Sequence, residues 1–317
     1  MSRNFGIGSR IMADAGQMMV DRKFHGGYQS KHDIGQRWGY FSKWAAERGV
    51  KKMENVTPEL VVDYGKQLQS ELTAGERKSS SAPKNYVSAV NTVMRLATAW
   101  LAPSEQWKTV RPGKDCGIQS RVYIPLESKA MTQATHQTAQ GIVGERIACL
   151  MRLQRAFGLR FKESCLLNPK QALKAAQKHG HIMLTAGTKG GKNRKVTCRP
   201  CGIPALEAAI SVQNGKSMIP KGMSYADFQQ ECYEQAKIAG ISFHPERHAY
   251  AQERYTEITG APAPIDAGWS RKERIVQLAI YLKINEDEAR IIDHDARLTI
   301  SIELGHNRVG ISNAYLG

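Results

Sequence analysis

No helix can run unbroken through residues 101–128. Pro103, Pro112, Gly113, Gly117 and Pro125 fall there, and helix-period apolar patterning lies on both sides. The break divides a chain of 317 residues into two parts of ordinary domain size, roughly 100–200 residues each. The expected layout is a helical domain over 1–118, a linker over 119–130 and a second domain over 131–317. Lys108, Arg111, Lys114 and Arg121 make the break basic, which suits a tether that closes two domains around a polyanion.

The first part reads as a helical bundle. Ile34, Trp38, Phe41 and Ala45 recur at three- and four-residue steps, marking one apolar helix face. Thr57-Pro58-Glu59 starts another helix. Thr57 caps it, Pro58 fits the first turn and Glu59 meets the positive end of the dipole. Leu60, Val61, Tyr64, Leu68 and Leu72 continue that helix. Past the loop AGERKSSSAPK, Val87, Val90, Met94 and Leu96 form a third stripe ending near Trp100, and Ile11, Met18 and Met19 mark a fourth. Trp38 and Trp44 are expected in the core rather than as platforms for bases.

In the second part, residues 139–166 read as helical and 181–199 alternate as short strands around a Gly-Gly turn in TKGGKNR. Helices follow near 203–213, 224–239 and 244–258. Residues 264–303 hold six Lys+Arg and eight Asp+Glu. An extra segment at about 262–300 is therefore expected as added helices facing solvent or a partner. The fold class that results is mainly α with a small β-sheet.

Charge narrows the partner. Lys+Arg number 45 against 29 Asp+Glu, a net charge of +16. The excess is spread, 18 against 11 over residues 1–120 and 27 against 18 over 121–317, so both parts are expected to touch a polyanion, nucleic acid above all. A hydrophobic content of 41% and a charged content of 23% exclude a disordered chain, a collagen-like repeat and a coiled-coil rod. No stretch approaches the ~20 apolar residues of a bilayer span, and the N-terminus lacks the apolar run of a secretory signal. A cytoplasmic, nucleoid-associated protein with no membrane partner is the expectation. Cys198-Arg-Pro-Cys201 is the only CxxC among six cysteines, and zinc would need two further ligands. No metal site is expected.

Residues 142–201 hold 13 Lys+Arg and two acids. Within and after them, five motifs follow in order. FGLRFKES carries Arg160 and Glu163. GTKGGKNRKV has Lys189 at the mouth of the hairpin. HPERHAYAQERY sets His244 and Arg247 one helical turn apart. ELGHNR holds His306, and Tyr315 lies nine residues beyond it. In this order and spacing the sequence resembles the tyrosine recombinases of the phage-integrase family, whose catalytic set is Arg, Lys, His-x-x-Arg, Leu-Gly-His and Tyr. GVKKMENVTPELVVDYGKQL, followed by a basic loop and an apolar helix, is similar to that family's core-binding domain. The resemblance covers nearly the whole chain.

It implies a helical, SAM-like core-binding domain followed by a catalytic domain of the DNA breaking–rejoining fold, together a C-shaped clamp on DNA. It implies a site-specific recombinase that cuts and rejoins double-stranded DNA sites through a 3′-phosphotyrosyl link, as a homotetramer on two sites. Integration and excision of a mobile element is the expected use, with an accessory DNA-bending or directionality factor as a further partner. The chemistry asks for these residue types. A phosphodiester under attack gathers charge on its non-bridging oxygens, and two guanidinium forks, Arg160 and Arg247, can hold it. His306 would add a hydrogen bond. Tyr315 would be the nucleophile, a poor one until it loses a proton of pKa ~10. His244 would take that proton, and Lys189 would give one to the leaving 5′-hydroxyl. Glu163 and His248 are expected as supports behind the site, and Lys84, Lys192, Arg194 and Lys195 as DNA contacts. No cofactor is expected, since side chains supply the positive charge and the sequence has neither a P-loop nor an acidic cluster suited to Mg²⁺.

Two other readings stay open, a type IB topoisomerase and a DNA-binding protein that has lost the reaction. His244, where topoisomerases usually have lysine, argues against the first, and the complete residue set against the second. The 59 positions between Arg247 and His306 exceed the family's usual spacing, and the excess is the 262–300 segment.

Overall fold

A computed structural model describes residues 3–76, 81–119 and 125–317. Part of the loop expected at 74–84 and part of the 119–130 linker, Arg121 included, lie outside the described residues. The chain forms two compact units, Met1–Val122 and Tyr123–Gly317.

In the first unit, α1 (Met12–Lys23), α2 (Tyr28–Glu47), α3 (Pro58–Thr73) and α4 (Ala82–Thr98) pack around one core. The stripes of α2, α3 and α4 bury Trp38, Phe41, Ala45, Val61, Tyr64, Leu68, Val87, Val90 and Met94. Thr57 caps α3, its hydroxyl accepting from the Leu60 amide at 3.2 Å. The α1 stripe is offset from the expected one. Met12, Ala15, Met19 and Val20 are buried, whereas Ile11 stands before the helix and is exposed. A Cβ on Gly16 would fall 2.0 Å from the Trp38 indole, so glycine there lets α1 lie close on α2 while Trp38 donates to the Met12 carbonyl. Trp44 is half-buried against this core and donates to Gln67. A short turn, α5 (Pro112–Asp115), interrupts the proline-rich stretch.

The second unit is built on α7 (Glu145–Phe157), which buries residues on nearly every side. Around it lie α6 (Gln133–Ile142), α8 (Phe161–Leu166), α9 (Pro169–His179), α10 (Gly202–Val212), α11 (Tyr225–Ile238) and α12 (His244–Thr259). The sequence reading has no helix at α9. Its buried face is only Pro169, Ala172 and Ala176 amid lysines, too weak a stripe to stand out, although Asn168 caps it by accepting from the Gln171 amide. The sheet is one antiparallel pair, β1 (His181–Leu184) and β2 (Arg194–Thr197), with Leu184 opposite Arg194.

The 262–300 expectation needs correction. α13 (Arg274–Leu282) forms a small satellite cluster with Ala261 and Ala289. The following α14 (Glu286–Glu303), however, sinks Ala296 and Ile300 into the main core, with Leu304 just past its end. Its acidic first turn and Asn285 capping box face outward and hide that apolar stripe in the sequence. A last turn, α15 (Asn313–Leu316), carries Tyr315.

Candidate active site

Two helix ends make the floor of the site. Carbonyls in the last turn of a helix lack a partner in their own ladder. α7 ends at Gly158, whose φ of +59° is left-handed, and a Cβ there would lie 2.5 Å from Tyr250 and 2.8 Å from Leu304. Only glycine fits this turn. Its carbonyl accepts from Arg247 Nη1 and, at 3.3 Å, from Arg194 Nη2. At the end of α14, the Leu304 carbonyl accepts from Arg247 Nη2 and, at 3.2 Å, from Arg160 Nη2. Three arginines far apart in sequence thus meet at one pair of main-chain oxygens, and Arg247 reaches both.

Arg160 stands at the start of α8. Its amide donates to Glu163 Oε2 at 2.7 Å and its Nη1 to Oε1 at 2.8 Å. Arg194 is the main departure from the sequence reading. Side chains along a strand alternate between faces, and β2 turns Arg194 and Val196 inward and Lys195 outward. Arg194 is 5% exposed, ion-paired to Glu163 at 2.5 Å and bonded to the Glu303 carbonyl, so it is no surface DNA contact. Burial alone would raise the Glu163 carboxyl, but the Arg194 and Arg160 guanidiniums hold it below its ordinary range.

Arg247, on the first turn of α12, is 1% exposed. Among the described residues it has no carboxylate partner. Its Nε donates to the Tyr315 hydroxyl at 3.4 Å, and burial draws its pKa down to about 10, still a cation at neutral pH. Three histidines surround the Tyr315 ring. His248 is 4.6 Å away between centroids, His244 6.2 Å and His306 6.4 Å. All are held toward the neutral form. Burial and the Arg247, Arg160 and Lys189 charges push His306 down to about 4. Burial and His244 push His248 to about 4, and burial with Arg247 and Arg160 lowers His244. The buried Nε2 of His306 has no partner among the described residues.

Arg160, His244, Arg247, His306 and Tyr315 therefore come together, with Glu163 and His248 against them. Lys189 is exposed at the start of a turn in the hairpin loop, close enough for its charge to bear on His306. Lys192 and Lys195 are exposed on the same hairpin and Lys84 on α4, and nothing in their surroundings marks a ligand. Sequence reasoning missed Gln252, which donates to the Tyr315 carbonyl at 3.0 Å, and Ser301, which holds the His306 and Arg308 carbonyls. Gln252 lies eight positions past His244, two turns up the same helix face, and that spacing could have flagged it. Among the described residues no group of three or more His, Cys, Asp or Glu side chains is arranged to hold a metal, and no helix is long and apolar enough to cross a membrane.

Residues 124–253 match a protein-family model described as Integrase. A search among curated proteins found no match. Among solved structures, the chain is similar to a lambda integrase dimer bound to a COC' core site, with a TM-score of 0.56 and 14% identity over 96% of this chain and 93% of that one. It is similar to the Tn1549 transposon integrase in complex with circular intermediate DNA, with a TM-score of 0.54 and 11% identity over 98% and 96%. A lambda integrase tetramer bound to a Holliday junction gives a TM-score of 0.51 and 12% identity over 82% and 77%. At these identities the likeness is one of fold.

Proposed function

We propose that this chain is a tyrosine recombinase of the integrase family, and that it cuts and rejoins double-stranded DNA with Tyr315 as nucleophile. One observation carries the proposal: the Tyr315 hydroxyl lies 3.4 Å from Nε of Arg247, a buried guanidinium with no carboxylate partner among the described residues. A phosphodiester placed there meets its nucleophile and its countercharge together.

The Tyr315 oxygen attacks phosphorus as its proton passes to His244, whose lowered pKa keeps it a neutral acceptor at pH 7. Arg247 and Arg160 hold the non-bridging oxygens, and the unpartnered Nε2 of His306 supplies a further donor. The bond from phosphorus to the 5′ oxygen breaks, and Lys189 protonates the leaving hydroxyl. The 3′-phosphotyrosyl link keeps the phosphodiester's energy, and a second 5′-hydroxyl reverses the step onto another strand. The charge being met by arginine and lysine, the reaction needs neither metal nor ATP.

A homotetramer on two DNA sites, exchanging strands for integration and excision of a mobile element, is the setting we assign. The fold neighbours bound to a core site, a circular intermediate and a Holliday junction support it. The test is a covalent trap. Wild type and Tyr315→Phe are incubated with DNA, SDS-resistant adducts are recovered and the attached ends sequenced. Adducts at one discrete site from wild type alone are expected. Scattered adducts would make the chain a topoisomerase, and adducts from Tyr315→Phe would remove Tyr315 from its role.

A further inference from the structure

Building on that assignment of Tyr315, we propose that Arg297 is a positioning residue that moors the tyrosine-bearing turn, and that the segment around 262–303 exists to provide this mooring. Arg297 projects from α14 and is fully buried. Its Nε is bonded to both oxygens of Asp293, at 2.8 and 2.9 Å. Its Nη1 reaches forward to the turn itself, donating to Asn313 Oδ1 and to the main-chain oxygen of Gly317, both at 3.0 Å. One guanidinium nitrogen therefore grips α15 on either side of Tyr315.

Asp293 is not free to follow Arg297. It accepts from the Tyr255 hydroxyl of α12 at 2.8 Å and from Arg274 Nε of α13 at 3.2 Å. The same stretch supplies a second hold, the Ile265 amide donating to the Leu316 carbonyl at 3.0 Å. Gln252 holds the Tyr315 carbonyl from α12. The short α15 has four residues and no independent stability. Its position, and hence that of the hydroxyl, is set by these outside contacts. Tyr255, Arg274, Asp293 and Arg297 form a chain of charge-assisted bonds running from α13 to the turn that carries Tyr315, at Asn313 and Gly317.

Arg297→Lys and Arg297→Ala are read first by amide hydrogen exchange, which needs no DNA. Losing charge-assisted bonds to Asn313 and Gly317 should speed exchange over residues 313–317 by about 10- to 100-fold. Exchange in α7 should stay at the wild-type rate. Arg274→Ala, which removes a partly exposed partner of Asp293 and leaves Arg297 in place, should give a smaller increase in the same amides and covers the case in which both Arg297 variants unfold. In the covalent trap, adduct formation should fall at least tenfold while DNA affinity stays within twofold. Unchanged exchange over 313–317 in folded variants overturns the mooring. If wild type forms no adduct, the recombinase reading fails and the mooring is still judged by exchange alone.

Discussion

Arginine and histidine gather at both faces of α12, but in opposite electrostatic states. One face carries His244, Arg247 and His248. The other, seven and four residues apart, carries Glu246, Glu253 and Glu257. On the glutamate face every strong charge is matched. Glu246 meets His136 at 2.6 Å and Arg155 at 3.3 Å, Glu253 meets Arg155 at 2.6 Å and Arg199 at 2.8 Å, and Glu257 meets Arg199 at 2.8 Å. On the arginine face a buried guanidinium leans on carbonyls, and the histidines beside it stay neutral. Taking a charge out of water is costly unless it is paired. Among the described residues Arg247 has no carboxylate partner, which is the state the proposed phosphate would complete. Arginine content alone would rank the two faces alike. Pairing separates them.

That contrast can be broken by substitution. The largest effect belongs to Lys189→Ala, which should slow cleavage ~10²–10⁴-fold, the worth of one general acid. The loss should largely disappear on a substrate whose 5′ leaving group is more acidic, as single-turnover rates would read. A loss that persists on that substrate would remove Lys189 from the acid role. Next comes Arg247→Lys, which keeps the charge and loses the fork. Adduct formation should drop ~10²–10³-fold, with little change in melting temperature. If the melting temperature collapses instead, Arg247 is a structural residue like Arg199.

Its sequence neighbour should do the reverse. Glu246→Gln weakens the hydrogen bonds to His136 and Arg155, the latter keeping Glu253, at a cost of about 2 kcal/mol, or roughly 4–8 °C in a unit of this size. Cleavage by the folded fraction should be unchanged, as calorimetry beside the adduct assay would establish. The smallest effect is with pH. His306 and His248, at about 4 in the fold, remain unprotonated where the unfolded chain, near 6.5, takes up protons. Their contribution to stability is whole above about 6.5 and is lost as pH falls toward 4. His306→Asn should flatten that slope. An unaltered slope would place the proton uptake elsewhere.

That Arg160, His244, Arg247, His306 and Tyr315 would meet was legible because short polar motifs stand out against apolar helix stripes, and the structure brings these five side chains together. The helices of the first unit were legible for a similar reason, as large apolar residues at helical spacing. Arg194 was not, although the alternation of Arg194, Lys195 and Val196 held the clue. Counted as one more cation in a basic hairpin, it lost the position that strand register gives it. α9 hid behind alanine and lysine, and α14 behind its acidic first turn. Asp293 and Arg297 sit in the mildly acidic stretch read as peripheral, and only the return of the chain at Asn313 and Gly317 gives them a task.

The reliance on the oxygens of Gly158, Glu303 and Leu304 also bears on how freely the sequence can vary. A peptide carbonyl belongs to every residue, so no substitution deletes it as long as the chain keeps its path. Apart from the steric demand at Gly158, the letters at these positions can change over generations while the arginines keep their acceptors. At 14% identity this chain and lambda integrase can accordingly share a fold. The geometry of the arginine floor is then held by backbone path more faithfully than by the letters along it.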